Sequence, residues 1–158
     1  MTSAEQLVRL LLDKKITISA AESCTGGMFI SRLIDFPGTS EIIGASYITY
    51  SDEAKVKSVG VNAHTINDFG VVSENVALEM AVGAAGVSGA DIGVGITGWA
   101  GPAADENDTA AGMVCFGFYV KGKTVTATKH YGNIGRNPVR ELSCVYAYET
   151  LIRLINIL

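Results

Sequence analysis

Histidine, cysteine and clustered positive charge are all scarce in this chain, and each shortage removes a class of function. The two histidines, His64 and His130, give no basis for a histidine-built metal centre. They do not exclude a Ser-His-Asp triad by number, but neither stands in a motif that supports one. The three cysteines, Cys24, Cys115 and Cys144, are odd in number and widely spaced. They fit neither a disulfide framework nor a zinc pattern and read as reduced thiols. No apolar run is long enough to span a bilayer, and no basic-then-apolar leader opens the sequence, so the expectation is a cytoplasmic protein with no membrane partner. Lys and Arg number 12 against 16 Asp and Glu, for a net charge of −4. The cations are scattered, so nucleic acid is not an expected partner.

What is present suits a folded α/β chain. A length of 158 residues with 48% apolar content predicts a single domain, 1–158, with a substantial core. There is no linker, repeat or low-complexity stretch. Ser3-x-x-Gln6 before Leu7, Val8, Leu10, Leu11 and Leu12 predicts a capped amphipathic helix closed by Lys14-Lys15. Ile16 to Ile18 opens a strand, and Met28 to Ile34 a helix that stops near Pro37-Gly38. Ile42 to Thr49 reads as a second strand, followed by a short helix from Ser51 to Gly60 carrying Lys55 and Lys57. Ser73-Glu74 starts a long small-residue helix. Ile92 to Ile96 is a third strand, and Gly98 to Ala111 a polar loop. Gly112 to Val120 and Lys123 to His130 form a hairpin turned at Gly122. Asn137-Pro138 reads as an N-cap and first helical position for the last helix. The alternation predicts a three-layer α/β/α sandwich around a mixed, mainly parallel sheet with one antiparallel strand.

Two apparent motifs carry no weight. Gly93-Val94-Gly95-Ile96-Thr97-Gly98 spells the dinucleotide-binding pattern, but its glycines lie within a strand and no helix opens after Trp99-Ala100-Gly101-Pro102. Close helix packing over small strand residues explains Gly93 and Gly95 better. Thr25-Gly26-Gly27 is followed by Met28, so it is not a Walker A loop.

The stretch Ala21-Glu22-Ser23-Cys24-Thr25-Gly26-Gly27 is the most informative. It lies between a strand and a helix, where free N–H groups can meet an anion and glycines let a ligand approach the main chain. Read alone, it is equally a hydroxyl cap with glycines for a tight turn. Cys24 rivals Ser23 as a nucleophile, because a thiol at a helix N-terminus can have a lowered pKa.

Beyond that stretch come Pro37-Gly38-Thr39-Ser40, Tyr50-Ser51-Asp52-Glu53-Ala54-Lys55, Gly60-Val61, Val72-Ser73-Glu74, Met80-Ala81 and Thr97-Gly98-Trp99-Ala100-Gly101-Pro102. In this order and spacing, nearly the whole chain resembles the C-terminal domain family of the competence/damage-inducible protein CinA. Stand-alone members of that family are nicotinamide mononucleotide deamidases. The resemblance implies an amidohydrolase that turns the nucleotide's carboxamide into carboxylate and ammonia, in pyridine nucleotide salvage, without metal or other cofactor. It places the nucleophile on Ser23, with Tyr50 and Lys55 as partners, and makes a small pyridine nucleotide the expected ligand. Backbone N–H groups of Thr25, Gly26 and Gly27 are candidate oxyanion donors. Thr39, Ser40, Arg136 and Arg140 are candidates for the phosphate, arginine because its fork matches phosphate oxygens. A lysine base has to lose its proton far below the free value of about 10.4; otherwise Lys55 is a solvated helix lysine. The apolar last helix, ending Leu154-Ile155-Asn156-Ile157-Leu158, points to a homo-oligomer.

The chain departs from the family's pattern in three places. After Thr97-Gly98 the family has isoleucine, where this chain has Trp99. The glycines and lysine that normally follow are replaced by Ala103 to Gly112, with acids at Asp105, Glu106 and Asp108. Ile134-Gly135-Arg136 lacks an expected acid, and Phe69 stands where many members have histidine. Three acids beside a phosphate would repel it. Either the loop lies outside the pocket, or the chain is a catalytically weak or inactive paralogue that binds a nucleotide in a regulatory role.

Overall fold

The computed structural model describes residues 1–158. Along the chain run α1 (Ser3–Lys14), β1 (Ile18–Glu22), α2 (Met28–Leu33), a 3-10 turn (Thr39–Glu41), β2 (Tyr47–Ile48), α3 (Asp52–Val59), α4 (Ala63–Phe69), α5 (Glu74–Ser88), β3 (Ile92–Gly98), β4 (Met113–Val120), β5 (Lys123–His130) and α6 (Arg136–Asn156). One sheet has the order β2-β1-β3-β4-β5. β1 pairs in parallel with both β2 and β3, and β4 is antiparallel to both its neighbours. Four strands therefore share a direction and β4 alone opposes them, as the sequence pattern predicts. α1, α2 and α6 cover one face and α5, backed by α3 and α4, covers the other, which makes the three layers.

The two faces are built differently. On the α1/α2/α6 side, a cluster of 26 buried residues, including Leu7, Leu11, Phe29, Phe116 and Leu151, fills the space with large side chains. On the α5 side the helix backbone comes down onto the sheet. Gly95 and Gly117 face each other across the β3–β4 pair, and a Cβ on either would strike the carbonyl oxygen of Ala77 in α5. A Cβ on Gly93 would meet the carbonyl of Ala81 one turn on. The glycines of the false dinucleotide motif are thus all strand residues, and two of them are spacers that let α5 approach.

Local chemistry sets the element ends, and it moves several of them from their expected places. Thr2, not Ser3, caps α1, accepting from the N–H of Glu5 at 3.2 Å. The β4–β5 turn has Lys121 and Gly122 both at positive φ (48° and 88°), the backbone of a type I′ hairpin turn. The second strand is only two residues long instead of eight. The reason is Ser46: its hydroxyl donates to the carbonyl of Ala20 and accepts the Ala20 N–H, both at 2.8 Å. A side chain thus takes the place of a ladder rung, and the chain from Thr39 to Ser46 is free to turn. α4 went unforeseen because its sequence has no apolar stripe, and none of its residues is buried. α6 begins one residue before Asn137. Pro138 is its third residue, and the Asn137 side chain receives Arg140 Nη1 at 3.1 Å instead of capping the helix.

The close contact between α5 and the sheet gives a paired prediction. Gly95→Ala overpacks the interface and lowers stability by about 1–3 kcal/mol or more. Gly86→Ala, in open space on the same helix, raises it by about 0.5–1 kcal/mol. Urea unfolding of the two variants measures both signs, and a neutral Gly95→Ala would mean the helix has room to move away.

Candidate active site

The strand order reverses between β1 and β3: the chain leaves β1 toward β2 on one side and later returns to place β3 on the other. In open α/β sheets the C-terminal ends of strands at such a switch leave a crevice, because the connections depart in opposite directions. Here that crevice is a cleft of about 540 Å³, lined by Ser23 and Cys24 after β1, Tyr50 just before α3, Asp52 and Lys55 in its first turn, Val71 and Val72 before α5, Thr97 to Pro102 from the end of β3 onward, and Arg136 of α6. The segment before α5 is anchored to β3 by the Thr97 hydroxyl, which donates to the Val71 carbonyl at 3.0 Å.

Lys55 is the notable occupant. Ser51 caps α3 through the Ala54 N–H at 3.1 Å, and the first turn of this helix turns Lys55 inward until only 1% of it is exposed. Its Nζ lies 3.1 Å from Ser23 Oγ and donates to the Thr49 carbonyl at 2.7 Å. No carboxylate pairs with it; the chain's two salt bridges are Arg9–Glu5 and Lys57–Glu53 on the surface. Burial therefore lowers its pKa, against a smaller opposing pull that comes chiefly from the charge of Asp52. Lys57, two residues on, is an ordinary surface lysine. A neutral Lys55 amine keeps an N–H for Thr49 and has a lone pair for the proton of Ser23, which is the arrangement a general base needs.

The backbone around Ser23 is fixed from two sides. The Ser23 N–H donates to Ile96 O at 2.9 Å, continuing the β1–β3 ladder. Glu22, 1% exposed, turns its carboxylate under α2 and accepts the N–H groups of Phe29 (2.8 Å) and Ile30 (3.2 Å). Burial raises the Glu22 pKa, and the hydrogen bonds from the Phe29 and Ile30 amides oppose that rise. The helix start expected to be free for an anion is thus filled by the chain's own carboxylate. Of the expected oxyanion donors, Gly26 gives its N–H to Ser23 O at 3.1 Å, Gly27 does not line the cleft, and Thr25 is buried away from it. Cys24 is the residue of this turn that both lines the cleft and has an N–H without a partner in the chain. It directly follows Ser23, the position that supplies an oxyanion donor at nucleophile elbows.

Arg140 also departs from expectation. Its Nε donates to Cys24 O and its Nη2 to Thr25 O, both at 3.0 Å, so it grips the serine turn from behind and does not line the cleft. Thr39 and Ser40 are remote. The residue after them in the 3-10 turn leads to Ile42, whose carbonyl accepts from Ile18 at the start of β1, while Ser23 follows the end of β1. About 3.3 Å per residue separates the two ends by the strand's length, and the Thr39 hydroxyl is held by Phe36 O at 3.3 Å. Tyr50 lines the cleft but does not touch Ser23: its hydroxyl accepts from Arg136 Nη2 at 2.7 Å, and Arg136 Nη1 reaches Gly101 O at 2.7 Å. Burial pushes the Cys24 thiol up to about 11, the opposite of the lowered value that a thiol at a helix N-terminus can have.

The acid-bearing loop also takes a definite position. Asp108 accepts the N–H groups of Ala104 (2.9 Å) and Ala110 (3.1 Å), and these hold its carboxyl below the usual range. Asp105 accepts from Asn107 N–H at 2.8 Å. Neither they nor Glu106 line the cleft, which takes only Gly101 and Pro102 from this side of the loop.

A three-layer α/β domain with a mixed sheet and a buried lysine–serine pair in a cleft at its switch point is the class of protein these observations define. The chain belongs to the CinA C-terminal domain family, whose model matches residues 1–155. A putative competence-damage inducible protein of Alkaliphilus metalliredigens is 43% identical over 153 residues, which are 97% of this chain and 37% of that protein. One from Clostridium beijerinckii is 44% identical over 151 residues, 96% of this chain and 37% of the relative. The chain thus spans just over a third of the length of these relatives. Among solved structures, a CinA superfamily protein of Escherichia coli superposes with a TM-score of 0.90 at 35% identity, covering 96% of this chain and 88% of that one. One from Klebsiella pneumoniae gives 0.92 at 29% identity, covering both chains fully. No helix is long and apolar enough to cross a membrane.

The buried amine makes stability depend on pH in a definite direction. Because the folded Lys55 pKa is lowered, the unfolded chain binds more protons between that value and about 10.4, so unfolding free energy rises as pH climbs through this window. Lys55→Met removes that contribution. Urea titrations of both proteins from neutral pH to about pH 10 measure the difference, and identical pH slopes would mean that Lys55 ionises as it does in the unfolded chain.

Proposed function

We propose that this chain is a serine amidohydrolase that deamidates nicotinamide mononucleotide. The observation that carries the reading is the unpaired, buried Lys55 amine 3.1 Å from Ser23 Oγ in a cleft large enough for a nucleotide-sized ligand. Neutral Lys55 takes the Oγ proton as Ser23 attacks the carboxamide carbon, and the carbonyl oxygen becomes an oxyanion that the Cys24 N–H can receive. Collapse of the tetrahedral adduct breaks the C–N bond. Lys55 returns the proton to the departing nitrogen, which leaves as ammonia. Water, deprotonated by the same amine, then attacks the Ser23 ester; the C–O bond to the enzyme breaks, Lys55 passes that proton to Ser23 Oγ, and the product acid loses its own proton to solvent as the carboxylate. One side chain serves as base and acid in both halves, as microscopic reversibility allows.

Arg136 is the cleft's cation for the phosphate. It stands at the mouth, exposed, and its bonds to Tyr50 and Gly101 leave guanidinium N–H groups for a ligand. Tyr50 then acts as the arginine's support, not as a proton relay. Arg140 contributes indirectly, by holding the Cys24 and Thr25 carbonyls.

The assay is ammonia release from nicotinamide mononucleotide. Ser23→Ala abolishes it, and Lys55→Met lowers kcat by about 10²–10⁴-fold. In the wild type, activity rises with pH as Lys55 loses its proton. Arg140→Ala lowers kcat by about 10²-fold through a displaced turn, equally for the mononucleotide and its phosphate-free riboside. Arg136→Ala raises KM for the mononucleotide alone. Wild-type protein that releases no ammonia from either compound would overturn the proposal.

A further inference from the structure

Two aromatic side chains line the cleft, Tyr50 and Trp99. Tyr50 is committed through its hydroxyl to Arg136. Trp99 is the chain's single tryptophan and leaves 50% of its surface exposed, although an indole is among the most favourable side chains to bury. Its backbone has no such freedom. The Trp99 N–H donates to Met113 O at 2.9 Å and its carbonyl accepts from Gly112 N–H at 2.6 Å. On one side is Gly98, where a Cβ would crowd Val114 and the Met113 carbonyl; on the other is Ala100, 4% exposed. A rigid main chain thus presents a large, flat, partly wetted ring to the cleft.

Its place relative to the reactive pair is set by the ladder. Ser23 N–H bonds Ile96 O, and Trp99 stands three residues further along, about 10 Å of extended chain. Trp99 and Ser23 line the same cleft, so a ring bound with its carboxamide at Ser23 Oγ shares that space with the indole. The face of an indole carries negative charge density and favours a cation lying flat upon it. A ring whose carboxamide reaches Ser23 is available in two charge states: a cationic pyridinium, or a neutral dihydropyridine that lacks this attraction.

Building on the amidohydrolase reading, we infer that Trp99 is the specificity-determining platform of the cleft: it stacks on the pyridinium ring of the substrate and selects the oxidised, cationic ring over the neutral, reduced one. Trp99→Ile, which keeps an apolar residue at this position, tests it, together with the fluorescence of the lone tryptophan. The Ser23→Ala protein binds without turnover. Nicotinamide mononucleotide saturably quenches its emission, while ribose 5-phosphate, which has no ring, does not. By calorimetry, Trp99→Ile on that background weakens mononucleotide binding by about 2- to 30-fold and leaves ribose 5-phosphate binding unchanged, which also reports that the cleft is folded. The reduced mononucleotide binds the Trp99 protein more weakly than the oxidised form, and the two bind the Trp99→Ile protein alike.

Ammonia release by the wild type without quenching of Ser23→Ala overturns the platform and leaves the amidohydrolase reading standing. Quenching without ammonia release supports the platform and overturns that reading. Equal affinity of the Trp99 protein for both ring states overturns the selection of charge.

Discussion

An amine kept out of water is the constraint around which the end of this sheet is arranged. Lys55 is held by a backbone carbonyl and a serine hydroxyl, and no counter-ion settles its charge. That environment penalises the ammonium form and leaves the neutral form with two good partners. The arrangement requires a wall on every side. α3 supplies the stem, the end of β2 supplies Thr49, β1 supplies Ser23, and α5 presses the sheet from below through its contact over Gly95 and Gly117.

The turn that carries Ser23 is governed by the same accounting of polar groups. An acidic and a basic side chain take opposite ends of its backbone: Glu22 collects N–H groups at the start of α2, and Arg140 collects carbonyls of Cys24 and Thr25. Each would be costly if left alone, and each is satisfied by main chain instead of by the other. After both have taken their share, the amide of Cys24 is left at the cleft.

Much of this was legible in the sequence. Helix caps at Ser51 and Ser73, the hairpin around Gly122, the small-residue helix and the spacer role of Gly93 and Gly95 all follow from local rules and appear as expected. Pairing of Ser23 with Lys55 followed from the family resemblance, since nothing local distinguishes Lys55 from Lys57. Thr39 and Ser40, Arg140 and the tyrosine hydroxyl were misplaced for one reason: long-range partners decide where they go. The hydroxyl of Ser46 shortened a strand that apolar content had lengthened, and the carboxylate of Glu22 filled a helix start that pattern alone left open. The acids of the 101–112 loop look like a charge in the site when counted along the chain; folded, Asp105 and Asp108 bond the loop's own amides and none of the three lines the cleft.

Ser46 has a reach beyond strand length. By giving one hydroxyl to both backbone groups of Ala20, it seals the flank of β1 with a side chain, where a longer neighbour would have exposed a fresh row of amides to solvent. What remains on that border is a two-residue strand, too brief to serve as a template for a foreign segment. The opposite border, β5, is eight residues long but begins with Lys123 and nears its end with Lys129, charges that discourage an incoming strand. A sheet with open borders in principle is closed in practice at both margins, by one hydroxyl on one side and by lysines on the other.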